Sequence, residues 1–158
     1  AYRRQRQMCI RDSTVAHLLI RRLAFESGYA SAALRERIYA NSDRENNTAG
    51  ILVYTASGDA QGTLGGLVRL GSPEKFAPLL AAAFYDGDYC SNDPVCREHA
   101  NQSGSHLNLS ACHGCALISE TSCESSNRLL DRQLALGGPG LQGLFQEAVR
   151  RAPRDARH

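Results

Sequence analysis

Apolar residues at Val15, Leu18, Leu19, Leu23 and Phe25, with Arg21 and Arg22 opposite them, recur at helical spacing and predict a helix over 14–26 that stops at Gly28. Residues 31–40 carry two periods at once. Leu34, Ile38 and Tyr39 share a helix face, whereas Leu34, Glu36 and Ile38 alternate with Arg35, Arg37 and Tyr39 as they would on a strand. The preferred reading is a strand after a short helical turn. A polar loop follows over 41–48, and then Gly50–Thr55, short, apolar and β-branched, reads as the clearest strand. Ser57-Gly58-Asp59 breaks it, and Gly62-Thr63-Leu64-Gly65-Gly66-Leu67 leads into an apolar stretch ending near Gly71. Ser72 as cap and Pro73 as first helical residue open a helix to about Tyr85 that buries Phe76, Leu79, Leu80 and Ala83. After an irregular stretch, Tyr89 to Cys123, a last helix is expected over 125–136. It would bury Leu129, Leu130, Leu134 and Leu136 and end at Gly137-Gly138-Pro139-Gly140. The order of elements gives an α+β unit, a small sheet with flanking helices and an irregular cysteine-bearing segment.

The two ends lack this patterning. Residues 1–13 are rich in Arg and Gln without a period, and Gln7-Met8-Cys9-Ile10-Arg11-Asp12-Ser13 resembles a translated sequencing-adapter read-through. They are expected to be a non-native or disordered tail, with the natural chain continuing upstream. The domain is expected over 14–140, and 141–158 as a C-terminal tail, its arginine-rich end from Arg150 adding little to the fold.

Composition narrows the function classes. A chain of 158 residues holds one domain or a piece of a larger protein, and a net charge of +2 is too small to imply a polyanion partner. Lys75 is the only lysine, a bias toward arginine that fits a GC-rich genome. No stretch of 18 or more apolar residues spans a membrane, and no signal peptide is visible, so the expected compartment is the cytoplasm. There cysteines are more naturally thiolates on a metal than disulfides. Asn46, Asn101 and Asn108 match the glycosylation triplet, but in a cytoplasmic chain such matches carry no weight.

Five of the six cysteines fall between Cys90 and Cys123. Cys112-His113-Gly114-Cys115 is a Cys-x-x-Cys knuckle, which puts two thiolates on one turn within reach of one ion. Cys123, before the expected last helix, and one upstream cysteine complete a tetrahedron. The fourth ligand is Cys96, presented by the Asp93-Pro94 turn, or alternatively Cys90, with His113, His99 and His106 as substitutes. The expected site is thus Cys96, Cys112, Cys115 and Cys123 around Zn2+. Four sulfurs leave no position for a bound water, so metal-assisted hydrolysis is not expected.

Other signals are weaker. The competing use of Cys112 and Cys115 is as a thiol-disulfide oxidoreductase pair, but a long helix following the motif is missing. The Gly62–Gly66 loop lacks the Lys-Ser/Thr of a phosphate-binding loop and reads as a tight backbone crossing. Arg35, Arg37, Arg128 and Arg132 are candidate contacts to nucleic acid or a partner, against the simpler reading of solvated or ion-paired side chains. No Ser-His-Asp set, close catalytic carboxylate pair or helicase ATP motif is present, so the chain itself is not expected to be an enzyme.

Several strings carry a resemblance: Cys90-Ser91-Asn92-Asp93-Pro94-Val95-Cys96, Ala111-Cys112-His113-Gly114-Cys115-Ala116-Leu117, Glu120-Thr121-Ser122-Cys123-Glu124 and Asn127-Arg128-Leu129-Leu130-Asp131-Arg132. Upstream, Leu34–Tyr39, Gly50–Thr55 and Gly62–Leu67 add to it. Together they resemble the cysteine-rich C-terminal domain of DrmB-like proteins of the DISARM anti-phage system. A related domain closes the MrfA-type DNA-repair helicases. The resemblance implies a zinc-binding accessory domain attached to, or partnered with, a superfamily 2 helicase subunit. It carries ligands at Cys96, Cys112, Cys115 and Cys123, implies possible contact with DNA, and leaves ATP hydrolysis to motor domains outside this chain.

Overall fold

The computed structural model describes residues 2–42, 47–56, 65–98 and 108–151. A long helix α1 (Tyr2–Ser27) forms the spine, followed by a 3-10 turn (Ser31–Ala33), strand β1 (Leu34–Ser42), strand β2 (Asn47–Thr55), helix α2 (Gly65–Leu70) and helix α3 (Pro73–Asp88). Short 3-10 turns at Cys96–Glu98 and Glu120–Ser122 punctuate the cysteine segment, and helices α4 (Arg132–Leu136) and α5 (Gln146–Arg151) end the described chain. The α+β expectation holds: helices surround a two-stranded antiparallel sheet.

β1 and β2 pair in the register Leu34↔Thr55, Glu36↔Val53 and Ile38↔Ile51. The two-residue alternation therefore governs 34–42, and the strand reading of this ambiguous stretch is the right one. Leu34 and Glu36 point to the core, while Arg35, Arg37 and Tyr39 are exposed. A glutamate on the buried face is the first departure from a simple apolar core.

α1 joins two packed layers. Val15 and Leu18 meet Phe84, Ala111, Ala116, Leu130 and Leu136 around Cys90, Cys96 and Cys115. One helical face further round, Leu19, Ile20 and Leu23 meet Leu34, Leu70, Leu79, Ile118 and Cys123. α3 approaches α1 closely at Gly87, where a Cβ would lie 2.8 Å from a Leu18 methyl. Any side chain there would push the helices apart.

Four expectations about elements need correction. The helix reaches back to Tyr2 through the stretch without a period, and Asp12 and Ser13 are buried. Phe25 and Phe76 are exposed, Phe25 by 78%, because each lies at the margin of its helix's apolar face. Ser72 occupies the cap position of α3, but its hydroxyl makes no capping bond. The last helix starts at Arg132 rather than Ser125. Ser126 and Asn127 adopt left-handed backbone (φ 49° and 58°), which ends any helix there, and Asp131 caps the new one by accepting from Leu134 N at 3.0 Å.

The Asn127 conformation has a use. Its amide donates to Ile118 O at 2.8 Å and accepts from Ile118 N at 3.3 Å, a side chain acting as a missing strand partner. Asn127→Ala removes both bonds and leaves a strained left-handed backbone. The expected loss is about 3 kcal/mol, read as a lowered urea midpoint with unchanged slope. Beyond Gly137, Phe145 stacks on Phe84 with ring centroids 4.7 Å apart, so the first part of 141–158 belongs to the core packing. The Gly62-Thr63-Leu64 part of the glycine loop, the Ser57-Gly58-Asp59 break, His99, His106 and the end from Ala152 lie outside the described residues.

Candidate metal centre

The cysteine segment leaves α3 at Asp88, turns through Cys90–Asp93, passes the 3-10 turn at Cys96 and returns beneath α1 as the Cys112–Cys115 knuckle. Cys112 O accepts from the amides of Cys115 (3.2 Å), Ala116 (2.9 Å) and Leu117 (3.0 Å), which curls the backbone round the two thiols. Gly114 lets the Asn92 side chain lie against this curl: a Cβ there would lie 2.7 Å from Asn92 Cγ, and the exposed asparagine would have to swing away. The knuckle also rejoins the end of the chain. Leu109 N donates to Leu130 O (2.9 Å) and Arg132 N to Leu109 O (3.2 Å), a short parallel bridge beside the site.

This path brings four sulfurs together, those of Cys90, Cys96, Cys112 and Cys115, all within 4.8 Å of one another. Individual Sγ–Sγ separations are 3.4 Å for Cys90–Cys112, 3.7 Å for Cys112–Cys115 and 3.8 Å for Cys96–Cys115. Four sulfurs each about 2.3 Å from a shared tetrahedral ion stand about 3.8 Å apart. A disulfide needs roughly 2.05 Å, and no pair approaches it. The donor set and its spacing fit zinc.

The electrostatics of these thiols differ by their surroundings. Burial raises Cys90, but amides of Asp93 and Asn92 and the Cys112 thiol outweigh it and bring the group down to about 7. Burial pushes Cys96 up to about 11 and raises Cys115 further, with the charge of Arg132 working in the opposite direction on both. A cation would ionise all four outright. Arg132 is fully buried, with Nε donating to Ser110 O (2.6 Å) and one terminal nitrogen to Gly87 O (2.9 Å). The expectation of a nucleic-acid or partner contact at Arg132 therefore fails, because the short α4 carries this side chain beneath the knuckle.

Cys123 departs from its expected role. The 3-10 turn at Glu120–Ser122 carries it into the second apolar layer, where its sulfur groups with His17 and Glu36 and not with the other cysteines. Cys90 stands in its place. The sequence could not separate them, since both flank the knuckle and only the tertiary path decides. His113 is exposed and is not gathered into the cluster. Of the arginines, Arg35 and Arg128 are exposed, and Arg37 pairs with Glu124.

One residue at the site carried no cysteine signal. Arg21, on the polar side of α1, donates to the carbonyls of His113 (3.2 Å), Gly114 (3.1 Å) and Leu117 (3.1 Å), holding the back of the knuckle. Arg21→Ala is expected to cost about 2 kcal/mol, seen as a fall in Tm of roughly 5 °C, and to speed zinc loss to a chelator.

In the second group, His17 Nδ1 lies 3.0 Å from Ala116 O, and Nε2 lies 3.6 Å from Glu36 Oε1. Burial opposes a charged imidazole there, but the facing Cys123 and Glu36 outweigh it and raise His17 to about 9.

Comparison with known proteins agrees with this geometry. A DISARM protein DrmB of Bacillus paralicheniformis is 49% identical over 121 residues, covering 77% of this chain. The alignment takes in 21% of that protein, so the chain spans about a fifth of its relative's length. The MrfA Zn-binding domain family matches residues 15–116, an interval that includes Cys90, Cys96, Cys112 and Cys115 and stops before Cys123. A zinc-binding family and a four-cysteine cluster point together to zinc, and the chain belongs to the family of MrfA Zn-binding domains.

Proposed function

We propose that this chain is a non-catalytic structural domain, part of a DrmB-like defence protein, in which Cys90, Cys96, Cys112 and Cys115 hold one zinc ion. The observation that carries the reading is the near-tetrahedral spacing of four sulfurs drawn from three turns of chain. Zinc supplies cross-linking there, because four thiolates fill its coordination shell and leave no site for substrate or water. The protein's own contribution is to aim the sulfurs. Cys112 N donates to Cys115 Sγ at 3.2 Å, Arg21 braces the knuckle, and Arg132 sets positive charge beside it.

In the parent protein the domain would serve as a rigid docking element for a superfamily 2 helicase subunit in the cytoplasm, with DNA as a further candidate partner. No described helix is long and apolar enough to cross a membrane, which is compatible with that setting. Of the four arginines proposed for nucleic-acid or partner contact, Arg35 and Arg128 keep exposed side chains and Arg37 is shared with Glu124. With so few phosphate contacts, the logarithm of DNA affinity should fall with the logarithm of salt with a slope of only about −2.

The oxidoreductase alternative uses Cys112 and Cys115 alone. It leaves unexplained why two further thiols stand at the same spacing. Alkylation of the zinc-loaded protein, mapped by mass spectrometry, separates the readings. Cys90, Cys96, Cys112 and Cys115 should resist modification until a chelator is added. Equal labelling with and without chelator, or a reversible Cys112–Cys115 disulfide in the native protein, would refute the structural reading.

A further inference from the structure

His17, Glu36 and Cys123 converge from α1, β1 and the segment after Glu120–Ser122, so no spacing in the sequence announces them. All three are buried, at 0%, 2% and 7% exposure. Ala116 O, 3.0 Å from His17 Nδ1, can only accept. Nδ1 therefore carries the hydrogen, and in the neutral ring Nε2 presents a lone pair.

Glu36 faces that same nitrogen, and Cys123 joins the two in one buried group. A Cys-His-acid catalytic set places the acid on one ring nitrogen and the thiol on the other. Here a backbone carbonyl occupies one side, the carboxylate lies on the other, and the thiol stands within 4.8 Å of the group. The 3.6 Å between Nε2 and Glu36 Oε1 exceeds a hydrogen bond. It matches two ligands on one ion, since nitrogen and oxygen about 2.0–2.1 Å from a tetrahedral metal stand about 3.4 Å apart. One ligand atom from each residue lies within 4.8 Å of the others. His17 Nε2 and Glu36 Oε2 have no hydrogen-bond partner among the described residues despite their burial, an arrangement that is costly unless something occupies the space between them.

We propose that His17 Nε2, the Glu36 carboxylate and Cys123 Sγ form a second divalent-metal site, whose mixed nitrogen, oxygen and sulfur donors suit zinc. A histidine whose other nitrogen donates to a backbone carbonyl is the arrangement that fixes metal-bound imidazoles. Ser13 Oγ, donating to Glu36 Oε1 at 3.1 Å, orients the carboxylate in the same way. The site ties α1 to β1 and to the chain following the knuckle. Three protein ligands leave one position for a small ligand such as water.

The competing occupant is a proton on His17. The test is metal stoichiometry of the 158-residue chain, refolded with excess Zn2+, desalted and measured by elemental mass spectrometry. Two zinc ions per chain are expected in the wild type, and one in Cys123→Ser and in His17→Gln. Cobalt-loaded Cys123→Ser should keep the intense sulfur-to-metal absorption of the four-cysteine centre. One zinc per folded wild-type chain overturns the proposal, and so does a count of two in Cys123→Ser. Where a variant fails to fold, the wild-type count decides alone. A count of one with Cys90, Cys96, Cys112 and Cys115 still protected from alkylation sinks this site and leaves the structural reading standing.

Discussion

Cys115→Ser is expected to abolish cooperative folding of the domain, and stripping zinc from the wild type should do the same. Binding of a structural zinc is worth on the order of 10 kcal/mol, against a total stability of about 5–15 kcal/mol for a domain. Cys115 is the sulfur to remove because it is buried, 3% exposed, between the knuckle and α1. Its neighbours in the core include Leu18, Ala116 and Leu136. Losing the ion leaves three thiols facing one another in an apolar layer, with burial pushing Cys96 up to about 11. The knuckle, α4 and the C-terminal end of α3 should then separate together. Circular dichroism melts with and without chelator provide the measurement, with a sloping, non-cooperative trace expected for Cys115→Ser. A variant that melts sharply within a few degrees of the wild type would show that the packing of α1, not the ion, holds this half together. Cys9→Ser is the matched control, since that thiol is outside both clusters and its loss should leave the melt unchanged.

How much of this was legible in the sequence follows from which interactions are local. α1 over 14–26, the strand Gly50–Thr55 and α3 were readable because their apolar period reports directly on burial. So was the knuckle, since Cys-x-x-Cys closes a site within one turn. The other two members of the cluster were not, since Cys123 was expected beside Cys96, and Cys90 only as the alternative to Cys96. Cys90, Cys96 and Cys123 all lie at ordinary distances from the knuckle, and the choice depends on how Asp93-Pro94 and Glu120–Ser122 steer the chain. The helix expected from Ser125 failed for a similar reason. Leu129, Leu130 and Leu134 have helical spacing, but Asn127 takes a left-handed conformation to bond Ile118 across the site, and that tertiary bond outweighs propensity. Glu36 and His17 looked like an unremarkable strand residue and a helix residue. Only their meeting with Cys123 gives them chemistry.

Arg132→Met is expected to be nearly as damaging as loss of a ligand, through a different route. Four thiolates around a divalent ion carry a net charge of about −2, and a buried site of that charge needs a countercharge. Arg132 provides it from 0% exposure, and its charge already acts on Cys96 and Cys115. The same guanidinium satisfies Ser110 O and Gly87 O, so it also ties the knuckle's approach to the end of α3. Methionine fills much of the volume but restores neither charge nor donors. Breaking such a buried arrangement costs about 3–5 kcal/mol, and removing a partner that supports metal ligands lowers affinity roughly 10–100-fold. The two effects can be measured apart. Unfolding in saturating zinc reports the lost hydrogen bonds, while competition with a chromophoric chelator reports zinc affinity. Arg132→Lys is the informative companion, since it keeps the charge but loses the planar fork. It should recover most of the zinc affinity while leaving Ser110 O or Gly87 O without its donor. If Arg132→Met lost stability but bound zinc as tightly as the wild type, the arginine would be a scaffold for two carbonyls and not the counterion of the metal centre.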